Sequence, residues 1–156
     1  MNARKLKQHL KYTIPQIRLA LVREPSDAKE LSPIRTPADL ERYLEPMKHL
    51  SEEHFVSLHL DAKHNVIGYH LVSQGTVSSS LVHPREVFKA ALLTNSSRII
   101  VAHNHPSGNT TPSEDDKLTT SSLVKAGEIL GVEVLDHLIV SFRDMFSIRE
   151  NYPELF

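Results

Sequence analysis

The chain alternates between two hydrophobic periods, and each switch marks an element. Leu40, Tyr43, Leu44 and Met47 follow Thr36-Pro37 at helical spacing, which predicts a helix capped by Thr36 with one apolar face. Pro46 predicts its end, or a kink, near Glu45. From Phe55 to Asp61, Val56, Leu58 and Leu60 alternate with Ser57 and His59, the period of a half-buried strand. Asp61 to Asn65 reads as a turn and Val66 to Val72 as the returning strand, so a β-hairpin is expected over 53–73. Gly75 and the Ser78–Ser80 run mark a loop. His83-Pro84-Arg85-Glu86 then opens a second helix, with Val87, Phe88, Ala91 and Leu92 as its buried stripe. From Arg98, Ile99 to Ala102 run apolar without a break, as in a strand covered on both faces. Ser113 caps a third helix ending at Gly131, Val132 to Val140 follows as a strand, and a short strand is expected around Met145 to Ile148. Strands and helices interleave, so the expected class is α/β or α+β, with helices packed on a mixed sheet.

Upstream of Thr36 the pattern is weaker. Residues 1–13 read as an arm, Ile14 to Arg23 as a short strand and Glu24 to Pro33 as a polar, Pro-containing connector. The expected organisation is an N-terminal region over 1–35 and one domain over 36–156. A length of 156 residues with 40% hydrophobic and 24% charged positions suits a single soluble domain with its own core. No apolar run approaches membrane-spanning length. The charged N-terminus is followed by no apolar stretch, so no secretory signal is expected. Zero cysteines exclude disulfides, thiol nucleophiles and cysteine-rich zinc modules; a cytoplasmic location is the natural expectation. The net charge of −1 hides an asymmetry. Arg4, Lys5, Lys7, Lys11, Arg18 and Arg23 face a single acid, Glu24, within residues 1–24. Such an arm could touch nucleic-acid phosphates, although for so few charges a solubilising terminus is the simpler reading.

The chemistry concentrates around one segment. His103-Asn104-His105 is followed after seven residues by Ser113-Glu114-Asp115-Asp116. A strand ending near Ala102 places His103 and His105 just past its end, and positions i and i+2 of extended chain point to one side. Pro106 to Pro112 is rich in turn formers and can reverse the chain. Ser113 is then an N-cap, and Asp116 falls in the first helical turn, able to reach back toward the strand end. Two neutral imidazoles and one carboxylate leave a tetrahedral Zn²⁺ one open corner, as catalytic sites do. A further carboxylate, not a ligand, is needed to move the proton of an attacking water. Taken alone, each part has an ordinary reading: a scattered His pair, a capping box, a tight loop. His59, His64 and His70 need no special role. His137, beside Asp136 in a strand, reads as a hydrogen-bonded structural residue that could support a ligand from behind.

His103, His105, Ser113 and Asp116 resemble the JAMM signature of MPN-domain metalloproteases. The wording is closer still to the bacterial RadC-like branch, through Val82-His83-Pro84-Arg85-Glu86-Val87, Ala102-His103-Asn104-His105-Pro106-Ser107-Gly108, Thr111-Pro112-Ser113 and Leu135-Asp136-His137-Leu138-Ile139-Val140. The resemblance covers roughly Thr36 to Ile148. It implies a three-layer α/β/α MPN (cytidine-deaminase-like) fold, with a mixed β-sheet flanked by helices. It also implies Zn²⁺ bound by His103, His105 and Asp116, and hydrolysis of an amide in a peptide or isopeptide-linked protein. Ser113 would stabilise the tetrahedral intermediate. An upstream glutamate would be the acid/base: Glu53 is the matching candidate, with Glu52 and Glu86 as rivals. Longer RadC-like proteins carry a helix–hairpin–helix segment, whose glycine-containing hairpins are not expected in a chain without glycine before Gly68. The alternative is a DNA-repair-associated or protein-binding module whose metal site is structural or inactive; its support is the basic stretch 1–24.

Overall fold

The computed structural model of the chain describes residues 17, 20–22, 24, 33–75 and 82–156. The basic arm over 1–13, most of the connector 24–33 and the Ser78–Ser80 loop lie outside these residues. Of the strand expected over 14–23, only 17 and 20–22 are described, and they carry no strand.

Among the described residues, five strands form one mixed sheet: β1 (His54–Leu60), β2 (Val66–Gln74), β3 (Arg98–Asn104), β4 (Glu133–Val140) and β5 (Met145–Ser147), in the order β2-β1-β3-β4-β5. Only β3 and β4 run parallel. That pair is joined by the helix α3 (Glu114–Leu130), as a parallel crossover requires. α2 (Pro84–Leu93) links β2 to β3. Before β1 the chain makes a 3₁₀ turn (Pro37–Leu40), a single α-helical turn α1 (Glu41–Leu44) and a second 3₁₀ stretch (Glu45–His49). Pro46 explains the break: it has no N–H to continue the α-helical ladder. The Asp39 carboxylate accepts the Arg35 and Thr36 N–H groups at 2.9 and 2.8 Å and starts this segment. After β5, Ile148 opens the short helix α4 (Ile148–Asn151), so the last strand stops one residue earlier than its pattern predicts.

Strand alternation sorts the core into two faces. Val56, Leu58, Leu60, Ile100, Ala102, Leu138 and Val140 meet Leu40, Leu44 and Met47 on one side. Phe55, Ile99, Val101 and Val134 meet Val87, Phe88, Ala91 and Leu123 on the other. The result is the expected three-layer α/β/α domain. Two expectations change. Leu92 is 47% exposed rather than part of the α2 stripe. β1 is buried on both faces, so Ser57 and His59 are interior. Burial without partners would be costly, and the pair solves it locally. Ser57 Oγ lies 2.9 Å from His59 Nε2, and Thr94 Oγ1 at the end of α2 lies 3.2 Å from His59 Nδ1. Burial and nearby His70 lower the His59 pKa to about 4, keeping the ring neutral.

Candidate metal centre

The centre sits where β3 ends and α3 begins. His103 is the sixth residue of β3, on the face turned toward α3, and stacks on Phe55, its cross-strand neighbour, with ring centroids 5.9 Å apart. His105 follows the strand and stays in line because its N–H reaches Val140 O at 2.8 Å. The intervening loop reverses through Gly108, whose φ of 84° lies in the left-handed region; a Cβ there would also meet the Phe142 ring at 2.6 Å. Ser113 caps α3 and Asp116 occupies its third position. Asp116 Oδ2 accepts the Ser113 N–H at 2.7 Å and the Ser113 hydroxyl at 2.6 Å, while Ser113 Oγ accepts the Asp116 N–H at 3.1 Å. This reciprocal box satisfies helix donors and holds the carboxylate in one rotamer. Its other oxygen, Oδ1, faces His103 Nε2 at 3.2 Å.

One donor atom from each of His103, His105 and Asp116 lies within 4.8 Å of the others. Donors held about 2.1 Å from a shared tetrahedral ion sit roughly 3.4 Å apart. The contacts here are 2.9 Å between the two Nε2 atoms, 3.2 Å from His103 to Asp116 and 3.8 Å from His105 to Asp116. They bracket that spacing.

Hydrogen bonding decides which nitrogen of each ring points inward. Thr120 Oγ1 donates its one proton to Asp116 O at 2.7 Å, so at its 2.7 Å contact with His137 Nδ1 it must accept. His137 is fully buried, and burial drives its pKa well below the usual histidine value. A neutral ring protonated on Nδ1 leaves Nε2 as an acceptor. His103 Nδ1, 2.9 Å away, must therefore donate, and its Nε2 carries a lone pair. His105 Nδ1 likewise donates to Asn109 O at 2.7 Å, freeing its Nε2. Two lone pairs facing each other at 2.9 Å, beside a carboxylate, call for a cation between them. A divalent ion fits that donor set. Burial alone would raise the Asp116 pKa; positive charge on the His103 side of the carboxylate, with the two Ser113 bonds, outweighs this and holds the carboxyl far below its usual range.

A cavity of about 200 Å³ opens over these residues, lined by Glu53, Phe55, His103, His105, Ser113 and Asp116 among others. Glu53 precedes β1 by one residue and shares the facing of Phe55; its carbonyl accepts the Gly75 N–H at 2.9 Å. Glu52 is exposed and reaches Gln74 at 3.5 Å. Glu86 pairs with Lys89 and Arg85 on the surface of α2. Neither rival lines the cavity. A larger cavity, about 480 Å³, lies at the opposite end of β3 and β4 and contains none of these groups.

The pattern along the chain did not expose Thr120 or the cavity-lining Asp115 and Thr119. It also placed His137 without its facing. A register shift between Ile99 and Ile100 makes Leu135 an extra residue in β4, and this carries His137 onto the α3 face beside Val101.

A three-layer α/β/α domain with this cluster at a strand end is a JAB/MPN-type domain. The profile of the RadC-like JAB domain matches residues 34–153, and the chain belongs to that family. It is 49% identical over 119 residues to a UPF0758 protein of Clostridioides difficile (strain 630), covering 76% of this chain and 51% of that protein. A UPF0758 protein of Staphylococcus haemolyticus is 46% identical over 131 residues, with 83% and 58% covered. One from Thermotoga maritima is 50% identical over 109 residues, with 70% and 49% covered. The chain spans about half the length of the curated relatives it matches. Family and donor cluster together are compatible with metal-dependent hydrolysis. Among the described residues, no helix is long and apolar enough to cross a membrane.

Proposed function

We propose that this chain is a zinc-dependent hydrolase that cleaves an amide bond in a peptide or isopeptide-linked protein. The observation that carries the reading is the convergence of two imidazole lone pairs and one carboxylate in an open cavity, with both ring tautomers set by partners behind them. Three protein donors leave room for a solvent or substrate ligand, unlike the four of a sealed structural site. Zinc, when bound, supplies Lewis acidity and acidifies water.

The remaining work falls to the chain. Glu53 takes a proton from the attacking water in the cavity and delivers it to the leaving amine. Ser113 turns its hydroxyl from Asp116 Oδ2 toward the developing oxyanion, while its N–H keeps the carboxylate in place. Phe55 excludes water from beneath His103. A cavity of about 200 Å³ is smaller than the roughly 300–1,000 Å³ of small-molecule pockets. That supports a polymer laid across the opening, with only the scissile group entering. The alternative reading, a DNA-repair-associated or protein-binding module whose metal site is structural or inactive, rests on the basic stretch 1–24, most of which lies outside the described residues.

Purified protein is expected to hold about one zinc per chain, lost in His103→Ala and Asp116→Ala. A correctly folded protein that binds no zinc would reject the proposal.

A further inference from the structure

Between the two imidazoles, Asn104 points to the opposite face of β3 and is 2% exposed. Its Oδ1 accepts the His54 N–H at 2.7 Å, and its Nδ2 donates to Glu52 O at 3.0 Å and Leu50 O at 3.5 Å. The Glu52 carbonyl and the His54 N–H belong to the two peptide groups flanking the Glu53 Cα. One carboxamide therefore bonds both peptide planes that set the backbone angles of Glu53. The Glu52 carbonyl is further held by His54 Nδ1 at 2.9 Å.

We infer that Asn104 is a positioning residue: it fastens the Glu52–His54 segment to the strand bearing His103 and His105, and so fixes where the Glu53 carboxylate stands relative to the metal donors. The inference rests on the hydrolase reading for the role of Glu53, but the clamp itself does not. It gives the His-Asn-His sequence a physical reason. Alternation puts two donors on one face of the strand, and the residue between them ties down the acid/base from the other. A side chain that both donates and accepts at this length is needed, since aspartate lacks the donor and leucine lacks both.

The test uses the full chain loaded with cobalt(II), whose visible absorption follows ionisation of the metal's solvent ligand without any substrate. Parent, Glu53→Gln, Asn104→Ala and the double variant are compared, with cobalt content measured in each. Removing a nearby carboxylate charge favours ionisation, so Glu53→Gln is expected to lower the midpoint by about one pH unit. Asn104→Ala is expected to move it the same way at unchanged cobalt content, and the double variant no further than Glu53→Gln alone. In parallel, the His54 amide is expected to exchange with solvent about tenfold faster in Asn104→Ala. Should Asn104→Ala not fold, the near-isosteric Asn104→Leu, which fills the same space but has neither donor nor acceptor, carries the same comparisons. The inference is overturned by a parent-like midpoint in Asn104→Ala, by additive shifts in the double variant, by no shift in Glu53→Gln, or by unchanged His54 exchange. If no form binds cobalt, the hydrolase reading fails, and His54 exchange alone then decides for or against the clamp.

Discussion

Thr120→Val replaces a hydroxyl by a methyl of nearly equal size at a position with no solvent exposure. The volume hardly changes, so the effect comes from the chain Asp116 O, Thr120 Oγ1, His137, His103, whose links measure 2.7, 2.7 and 2.9 Å. Without the hydroxyl, His137 has two choices. It can keep its proton on Nδ1 as an unsatisfied buried donor, which costs about 1–3 kcal/mol of fold stability. Or it can move the proton to Nε2, forcing His103 to accept on Nδ1 and to carry its own proton on the nitrogen that faces the donor cluster. Zinc must then displace that proton. Either branch converts to roughly 10–100-fold weaker metal affinity or an equivalent loss of stability, the range found for partners standing behind metal-bound histidines. Competition for zinc against a chromophoric chelator near neutral pH measures the first quantity, and thermal melting of the metal-free chain the second. Ser122→Ala, on the exposed side of the same helix, is the control. A Thr120→Val protein with parental zinc affinity and parental melting temperature would show that the tautomer argument is wrong.

Acid should destabilise the fold partly through His59. Its folded pKa of about 4 lies below its unfolded value of 6.5, so its contribution is complete above pH 6.5 and is lost as pH falls toward 4, to a total of about 3 kcal/mol. Urea titrations between these limits should show a shallower pH slope in His59→Asn than in the parent. Gly127→Ala would set a Cβ 2.4 Å from Val132 O, where α3 passes over the start of β4; a loss of about 1–3 kcal/mol in chemical denaturation is expected. Ser113→Ala should cost about 1 kcal/mol in metal-free protein through the lost cap. On the proposed function it should also slow hydrolysis more than it weakens zinc binding.

Much of the fold was legible because local rules and burial agree. The capped starts at Thr36 and Ser113, the stop at Gly131 with φ 69°, the hairpin across Asp61 to Asn65 and the apolar run of β3 all fall where their patterns place them. Misreadings arose where tertiary neighbours override the pattern. Ser57 and His59 alternate like solvent-facing residues, yet α2 covers them and Thr94 supplies a partner. Leu92 lies just beyond the arc of the helix that Val87, Phe88 and Ala91 bury, and so stays half exposed.

The same division runs through the candidate site. Spacing suffices to bring His103, His105 and Asp116 together, because a strand end, a reversing loop and a helix's first turn are all local structures with known periods. The partners that give those donors their chemical state come from far along the chain. His137 depends on a β4 register shift, Thr120 on the packing of α3 over the sheet, and the grip of Asn104 on Glu52 and His54 on strands about fifty residues apart. Local order in a chain dictates which donors can meet; contacts between distant segments dictate which proton each donor carries and which acid stands beside it.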